Sequence, residues 1–308
     1  MSRADRPGRI AVLRPGALGD AVLTLPVLQS LAAGAPGAHV VAIGSPAFRL
    51  AVDCGCAAEA VPFDDTRLLG LFAEGGKCGL LANCDLCIAY GRRPDPVLSA
   101  SLRRSGVVSV VEWPSHPAPG LHVVDHLLGA VESVGFAAAG RRPTLPPQAA
   151  WTEAGRDWLA ARGVRGDFIA VHPGSGGRSK RWPAECFGDL ALRAECPAIW
   201  LLGPAEADDE ELHAVGERVG IVADGLPLPA VAGLLAACRA YVGNDSGASH
   251  LAAAVGAPTV ALFGPTDPAV WAPRGERIFV VRGAAGLDGL AVDEVAAALA
   301  RAMAPREA

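Results

Sequence analysis

Short apolar segments alternate with alanine- and leucine-rich segments along most of the chain, and this alternation constrains the fold more than any other feature. Arg9–Leu13 and His39–Ile43 are predicted strands, and a helix is predicted between them over Asp20–Leu31. The order strand, helix, strand is typical of βαβ units, which bring their strands into one parallel sheet. The sequence therefore predicts an α/β fold. The other predicted strands are Leu86–Ala89, Val107–Val111, Asp167–Val171, Ala198–Leu202, Ala240–Val242 and Thr259–Phe263, and the other predicted helices are His122–Val134, Trp151–Arg162, Ala184–Ala194, Val231–Ala237, Ala248–Val255 and Val292–Met303.

The alternation is interrupted over residues 137–150, where the chain has three prolines and no apolar period. We interpret this segment as a linker, because the same pattern restarts behind it. A length of 308 residues favours two domains over one, and we place them at residues 1–145 and 146–308. Both have the pattern of doubly wound, Rossmann-like sheets. Two such domains are expected to face a central cleft, where ligands bind in this architecture.

The net charge of −5 argues against a protein that binds nucleic acid. The charge is unevenly divided, since residues 1–150 carry 13 Lys and Arg against 12 Asp and Glu, whereas residues 151–308 carry 14 against 20. The N-terminal half also contains three arginine pairs: Arg92/Arg93, Arg103/Arg104 and Arg141/Arg142. These pairs either contact an acidic partner or are ordinary solvated side chains.

The pattern contains no targeting or membrane-spanning segment. The first residues do not have the composition of a signal peptide. The longest apolar run, Leu251–Gly264, is interrupted by Gly256 and Pro258 and is too short to cross a bilayer. We therefore expect a cytoplasmic protein.

Cysteine is unusually frequent, with eight residues, of which five lie between positions 54 and 87. Cys84 and Cys87 form a CxxC pair, so a zinc site is the first hypothesis to test. The segment CDLCIAY is predicted to be a buried strand, in which these two side chains would point to opposite faces. A second CxxC pair, which would complete a four-ligand set, is missing from the sequence. We therefore expect reduced, buried thiols and no metal.

The first loop that carries chemistry, Arg14–Asp20, follows the first strand and reads RPGALGD. It is not a dinucleotide fingerprint, because its glycines are Gly16 and Gly19 and the second strand ends in Gly44-Ser45 without an acidic residue. The loop places Asp20 at the start of a helix. Asp20 is therefore either a helix cap or a carboxylate available for chemistry.

The second loop, His172–Pro183, also follows a predicted strand and reads HPGSGGRSKRWP. Its glycines allow the backbone to approach a ligand closely. Lys180 adds a point charge, and it is one of only two lysines beside 25 arginines. The loop lacks the GK[ST] sequence of a Walker motif. It is either a phosphate site or a flexible glycine-rich turn.

The third segment, Gly243–Pro268, begins with GNDSG and enters a helix. The N–H groups of Ser246, Gly247 and Ala248 are free at that helix start, where the helix dipole favours an anion. His250 lies one turn after Ser246, but GNDSG is not the GxSxG of a serine hydrolase. Asp245 or Ser246 is also suited to cap the helix.

Together and in this order, the three segments resemble glycosyltransferase family 9, the ADP-heptose:lipopolysaccharide heptosyltransferase family. The matching stretches are RPGALGDAVLTLPVLQSL, VHPGSGGRSKRWPAECFGDLA and YVGNDSGASHLAAAVGAPTVALFGPTDPAVWAP, and the likeness extends from about Arg9 to Met303. The resemblance implies a GT-B fold and an inverting transfer that uses neither a metal nor another cofactor. It also implies a nucleoside-diphosphate sugar, ADP-heptose, as donor and a lipopolysaccharide-core or related lipid-linked glycan as acceptor.

The resemblance also assigns residues. Asp20 matches the general base of the family, in an N-terminal domain that serves the acceptor. The positions that match donor contacts of the C-terminal domain are Gly174, Ser175, Gly176, Lys180, Asp245, Ser246, Gly247 and His250, with Glu206 and Leu226 near the nucleoside. A lipid-linked acceptor, together with the arginine pairs, leads us to expect reversible contact with the inner face of the cytoplasmic membrane.

Two other functions fit the same scaffold. One is a sugar-nucleotide epimerase or hydrolase, which would need no glycan acceptor. The other is a nucleotide-sugar binding protein without catalytic activity. The presence of Asp20 favours an enzyme over this last reading.

Overall fold

The computed structural model describes residues 7–283 and 286–305. Residues 1–6 and 306–308 lie outside this range. The expectation that the chain has no signal peptide, and the outer limits of the two predicted domains, depend partly on them. The chain divides into two compact units, Met1–Pro143 and Thr144–Ala308. The predicted boundary lies after residue 145.

The first unit is a five-stranded parallel sheet with the strand order β3-β2-β1-β4-β5. Its strands are β1 Arg9–Arg14, β2 His39–Gly44, β3 Glu59–Pro62, β4 Leu86–Gly91 and β5 Ser109–Pro114, and its α-helices are α1 Leu18–Gly34, α2 Arg49–Asp53, α3 Pro96–Arg104 and α4 Val123–Ser133. The middle of β1 is fully buried because its neighbours β2 and β4 and the flanking helices cover it.

The second unit is a six-stranded parallel sheet with the order β11-β10-β9-β6-β7-β8. Its strands are β6 Ile169–His172, β7 Ala198–Leu202, β8 Ile221–Asp224, β9 Ala240–Asn244, β10 Thr259–Phe263 and β11 Ile278–Arg282, and its α-helices are α5 Ala149–Ala161, α6 Ala184–Arg193, α7 Glu210–Val219, α8 Leu228–Ala237, α9 Gly247–Ala254, α10 Pro268–Trp271 and α11 Val292–Met303.

The strand order of each sheet fixes where a ligand site can form. In an open parallel sheet, ligands bind outside the carboxyl ends of the strands at the point where the strand order reverses. That point lies between β1 and β4 in the first unit and between β6 and β9 in the second. The loops that leave β1, β6 and β9 are the three segments singled out in the sequence.

Large aromatic side chains form the core of the second unit. Trp182 contacts Phe187 edge to face, with ring centroids 4.9 Å apart, and Phe187 contacts Trp200 in the same manner at 6.4 Å. Trp182 also donates from its indole nitrogen to the carbonyl of Leu290 at 3.0 Å. Because Trp182 ends the second loop, this packing anchors the loop to the body of the sheet.

The α/β fold class predicted from the alternation is confirmed in both units, and every predicted strand and helix is present with small shifts at its ends. Elements that the sequence did not reveal are the strands β3, β8 and β11 and the helices α2, α3, α7 and α10. The three strands lie at or next to sheet edges and are mostly half-buried, so their apolar patterns are weak.

The prediction that Cys84 and Cys87 point to opposite faces is wrong. β4 begins at Leu86, so Cys84 lies in the preceding turn and strand alternation does not apply to it. Both thiols pack into the same core cluster of the first unit, and burial raises the pKa of the Cys87 thiol. The expectation of buried thiols holds for four of the eight, since Cys54, Cys56, Cys186 and Cys196 are only half-buried.

Within residues 7–283 and 286–305, which include all the cysteines, no disulfide forms and no three metal-ligating side chains come close enough together to hold an ion.

In the described part of the chain, no helix has both the length and the apolar composition needed to span a membrane.

Candidate functional site

The first loop places Asp20 in the first turn of α1. The N-cap of this helix is Ala17, and the Oδ2 atom of Asp20 accepts a hydrogen bond from the Ala17 N–H at 3.0 Å. This is the reaching-back half of a capping box. Asp20 therefore satisfies a helix-terminal donor from the third helical position, and it is not itself the N-cap.

A buried arginine holds the other oxygen of this carboxylate. Arg14 ends β1, and its Nη2 atom donates to Asp20 Oδ1 at 2.6 Å, with the side chains 5% and 31% exposed respectively. Burial lowers the pKa of Arg14, and the Asp20 carboxylate opposes this effect. Gly16 lies between them with φ +149°, and a Cβ atom there would lie 2.2 Å from Asp20 Oδ2. Only glycine fits this turn with Asp20 in place.

A pocket of about 580 Å³ opens beside the same loop. It lies at the carboxyl ends of β1, β4 and β5, the reversal point of the first sheet. Pro15 of the first loop lines it, together with the exposed pair Arg92 and Arg93. Phe63 and Phe72 form an aromatic wall with their ring centroids 5.4 Å apart. Asp95 and Glu112 also line the pocket, so it combines aromatic surface with charges of both signs.

The second and third segments meet at the reversal point of the second sheet. Lys180 donates from Nζ to Asp245 Oδ2 at 2.8 Å, and Thr266 Oγ1 donates to the same oxygen at 2.7 Å. The Asp245 side chain is 8% exposed, whereas that of Lys180 is 34% exposed. An ammonium group has three donors, so Lys180 keeps two of them for a ligand while Asp245 holds it in place.

The glycine-rich loop is braced against the strands. Ser175 is buried and donates from Oγ to the Asp245 carbonyl at 3.0 Å. Arg181 donates to the Ser175 carbonyl at 3.3 Å and to Asp209 Oδ2 at 2.7 Å. Asn244 bonds the loop at both ends, donating to the Pro173 carbonyl at 2.7 Å and accepting from the Trp182 N–H at 3.0 Å. Arg181 is thus occupied within the protein.

The start of α9 lies next to Asp245. Ser246 is the N-cap, and Gly247 is the first helical residue. His250 is buried one turn further along the helix. Ser249 donates from Oγ to the Asn244 carbonyl at 2.6 Å, which fixes the helix to the end of β9. The N–H groups of the first turn, together with the helix dipole, favour an anion at this position.

Glu206 lies beneath the second loop. Glu206 is 3% exposed, and its Oε2 atom accepts a hydrogen bond from the Gly203 N–H at 3.1 Å. A Cβ atom at Gly174 would lie 2.2 Å from Glu206 Oε1, so glycine is needed for this close approach. Burial lowers the pKa of the neighbouring His172, an effect that Glu206 opposes. Leu226 is half-buried in the loop that follows β8, the strand next to β7 in the sheet.

The structure thus brings together most of the residues predicted for the donor site. Lys180, Ser175 and Asp245 are connected by hydrogen bonds, and Gly174 contacts Glu206. Gly176 is open to solvent. Asp20 belongs to the first unit, whereas all the predicted donor contacts belong to the second.

Sequence reasoning missed four polar residues that organise these sites. They are Arg14, Arg181, Asn244 and Thr266. Arg181, Asn244 and Thr266 lie inside the matching stretches, but the sequence assigned them no role. The one signal in the sequence that could have drawn attention to Arg14 is its position directly after the predicted buried strand Arg9–Leu13.

Comparison with known proteins gives consistent results. The sequence model of Glycosyltransferase family 9 (heptosyltransferase) matches residues 99–287, which is more than half of the chain. Lipopolysaccharide heptosyltransferase 1 of Pseudomonas aeruginosa is 28% identical over 294 residues, covering 84% of this chain and 79% of that protein. Lipopolysaccharide heptosyltransferase 2 of Salmonella typhimurium is 37% identical over 125 residues, covering 37% of this chain. The match spans only 36% of the Salmonella protein's length.

A solved structure shows the same fold. The structure of E. coli ADP-heptose lipopolysaccharide heptosyltransferase II superimposes with a TM-score of 0.76 at 21% identity, covering 96% of this chain and 98% of that one. The two-domain α/β fold of GT-B type predicted from the sequence is therefore confirmed. The family match agrees with the three segments that suggested it, and the chain belongs to glycosyltransferase family 9, the heptosyltransferase family.

Proposed function

We propose that the protein transfers a heptosyl residue from ADP-heptose to a lipopolysaccharide-core or related glycan, with inversion at the anomeric carbon and without a metal ion. Family membership supports the class of reaction. The names of the Pseudomonas, Salmonella and E. coli proteins support a heptose donor and a lipopolysaccharide acceptor.

One observation carries the proposal: the hydrogen-bonded group of Lys180, Asp245 and Thr266 beside the N-terminus of α9. Transfer from a sugar diphosphate requires a site that stabilises the negative charge growing on the departing nucleoside diphosphate. Preorganised donors aimed at developing charge supply such stabilisation. The ammonium of Lys180 and the first N–H groups of α9 are donors of this kind.

The predicted donor residues have different roles in this proposal, which follow from their contacts and exposure. Lys180 contacts the diphosphate, because its ammonium is partly exposed and keeps two donors. Asp245 is a buried anion, so it acts by holding Lys180 and not by touching a phosphate. Ser175 donates its proton to a backbone carbonyl and likewise positions the loop. Ser246 and Gly247 supply backbone donors, and Glu206 and Leu226 remain candidates for the nucleoside side of the site.

Asp20 is the proposed general base. Inversion requires one displacement and one base that takes the proton of the acceptor hydroxyl. Each Asp20 oxygen accepts one hydrogen bond within the protein and keeps a lone pair for the acceptor. The neighbouring pocket of the first unit, with Arg92, Arg93 and the Phe63–Phe72 pair, is the proposed acceptor site.

The direct test is to incubate the protein with ADP-heptose, with and without a lipopolysaccharide-core acceptor, in buffer containing EDTA. We expect ADP release and a glycosylated product only when the acceptor is present, and NMR of the product should show the inverted anomer. ADP release without acceptor would instead indicate a hydrolase, and a changed sugar would indicate an epimerase. Binding without turnover would indicate a catalytically inactive binding protein.

A further inference from the structure

Arg14 is a buried charge that the proposed reaction does not use. Its side chain is 5% exposed at the end of β1. Its Nη2 atom bonds Asp20, whereas its buried Nε atom has no hydrogen-bond partner in residues 7–283 and 286–305. Burying a guanidinium is costly unless its donors are satisfied. Among the described residues, Asp20 is the one group with which Arg14 forms an ion pair, so Asp20 is the group that offsets this cost.

We propose that Arg14 is a positioning residue for Asp20, fixing the orientation of its carboxylate for proton abstraction. The inference rests on the proposed role of Asp20 as the base. Arg14 holds Oδ1 and the Ala17 N–H holds Oδ2. Because the two oxygens have different partners on different segments, rotation of the carboxylate would break both bonds.

The surroundings of Arg14 leave Asp20 as its counter-charge. The groups that face it are Asp20 from α1 and Tyr90 from β4. Burial raises the pKa of Tyr90, whose hydroxyl donates to the Leu127 carbonyl of α4 at 2.8 Å, so Tyr90 stays neutral. On β2, the residue paired with Arg14 is Gly44, which has no side chain to titrate.

Removing the guanidinium of Arg14 leaves Asp20 Oδ1 without the hydrogen bond that fixes it, so the carboxylate can turn away from the acceptor hydroxyl. For Arg14→Met we therefore expect kcat to fall about 10- to 100-fold, the scale of lost orientation at a reacting group. Arg14→Lys keeps a cationic donor and should recover part of this loss. The KM for the donor should stay within about twofold, since the proposed donor contacts belong to the other unit.

The experiment measures kcat and donor KM at one pH for wild type, Arg14→Met, Arg14→Lys and Asp20→Asn. Arg14→Gln serves as a second neutral variant in case Arg14→Met does not fold, as judged by circular dichroism. Arg49→Met is the matched control, because Arg49 forms a surface ion pair with Asp53 at 2.7 Å, and its kcat should not change.

A wild-type kcat in a folded neutral variant, or an equal loss of kcat in Arg14→Lys, would overturn the role of Arg14 while leaving the proposed function intact. Turnover by Asp20→Asn near the wild-type rate would overturn the base assignment and with it this inference. A loss of kcat at unchanged donor KM in the neutral variants, partly restored in Arg14→Lys, is the result that supports it.

Discussion

Replacing Lys180 by alanine tests the donor site, because the structure predicts a loss larger than that of a single contact. The substitution removes the ammonium that we propose contacts the diphosphate. It also leaves the carboxylate of Asp245, which is 8% exposed, bonded only to Thr266 among the described side chains. The site then contains an uncompensated negative charge where the proposed donor diphosphate would bind.

These two effects set the size of the expected loss in kcat/KM. A hydrogen bond to a charged group contributes about 1.5–3 kcal/mol, or roughly one to two factors of ten. Repulsion from the unpaired carboxylate adds to this loss, so kcat/KM for Lys180→Ala should fall by roughly 10²–10³. Part of the loss should appear in kcat, since the charge on the leaving group grows in the transition state.

The double variant Lys180→Ala/Asp245→Asn isolates the second effect. It removes the unpaired charge, so it should recover about tenfold of the kcat/KM lost in Lys180→Ala, the order expected of one relieved like-charge contact. Lys180→Arg should rescue only in part, because a planar guanidinium does not reproduce the compact ammonium. Arg178→Ala is the matched control, as Arg178 is an exposed cation in the same loop.

Steady-state kinetics with ADP-heptose, together with donor Kd from calorimetry, decide the matter. A double variant no more active than Lys180→Ala would refute the argument from Asp245. A greater loss in Arg178→Ala or Arg181→Ala than in Lys180→Ala, in both Kd and kcat, would refute the assignment of Lys180 itself.

Three further predictions concern other parts of the molecule. Gly16→Ala should lower kcat at least tenfold with donor Kd unchanged, because its Cβ would lie 2.2 Å from Asp20 Oδ2. Steady-state kinetics measure kcat and calorimetry measures donor Kd, and an unchanged kcat would contradict the prediction. Gly233→Ala should lower the free energy of unfolding by about 1–3 kcal/mol, because its Cβ would lie 1.9 Å from the Trp151 carbonyl where α5 crosses α8. Urea denaturation measures this loss. Gly289→Ala is the control and should destabilise the protein less, because a Cβ atom there would lie in open space. Flotation with anionic vesicles at low salt should recover some of the protein and 0.5 M NaCl should release it; Arg92→Ser/Arg93→Ser should weaken this binding, and binding insensitive to salt would point to an apolar contact instead.

The buried parts of the fold were predictable from the sequence. β7 and β10 occur at the predicted residues, because strands covered on both faces read as continuous apolar runs. The edge strands β3 and β8 were missed, since they are short and have few fully buried positions. α7 was missed because its sequence EELHAVGERV is rich in charge and its apolar face is narrow.

The candidate site was predictable as a set of loops but not as a set of contacts. The resemblance to glycosyltransferase family 9 assigned Lys180 and Asp245 to one donor site, and the structure places them in loops after the neighbouring strands β6 and β9. Their ion pair joins residues 65 positions apart, and no local pattern encodes it. The same holds for Arg14, whose burial depends on β2 and β4 closing around β1. Side-chain pairing of this kind depends on the tertiary fold.

The effect of Asp20→Asn on turnover and on donor binding decides whether Asp20 acts as the general base. Asparagine keeps the size of the side chain and one acceptor oxygen for the Ala17 N–H, whereas its NH2 group cannot accept from Arg14, so circular dichroism should first show that the variant folds. Donor Kd, measured by calorimetry, should stay near the wild-type value, whereas kcat for heptosyl transfer should fall by roughly 10²–10⁴, the range expected for loss of a general base. Turnover by Asp20→Asn close to the wild-type rate would contradict the account and would leave Asp20 with a structural role at the start of α1.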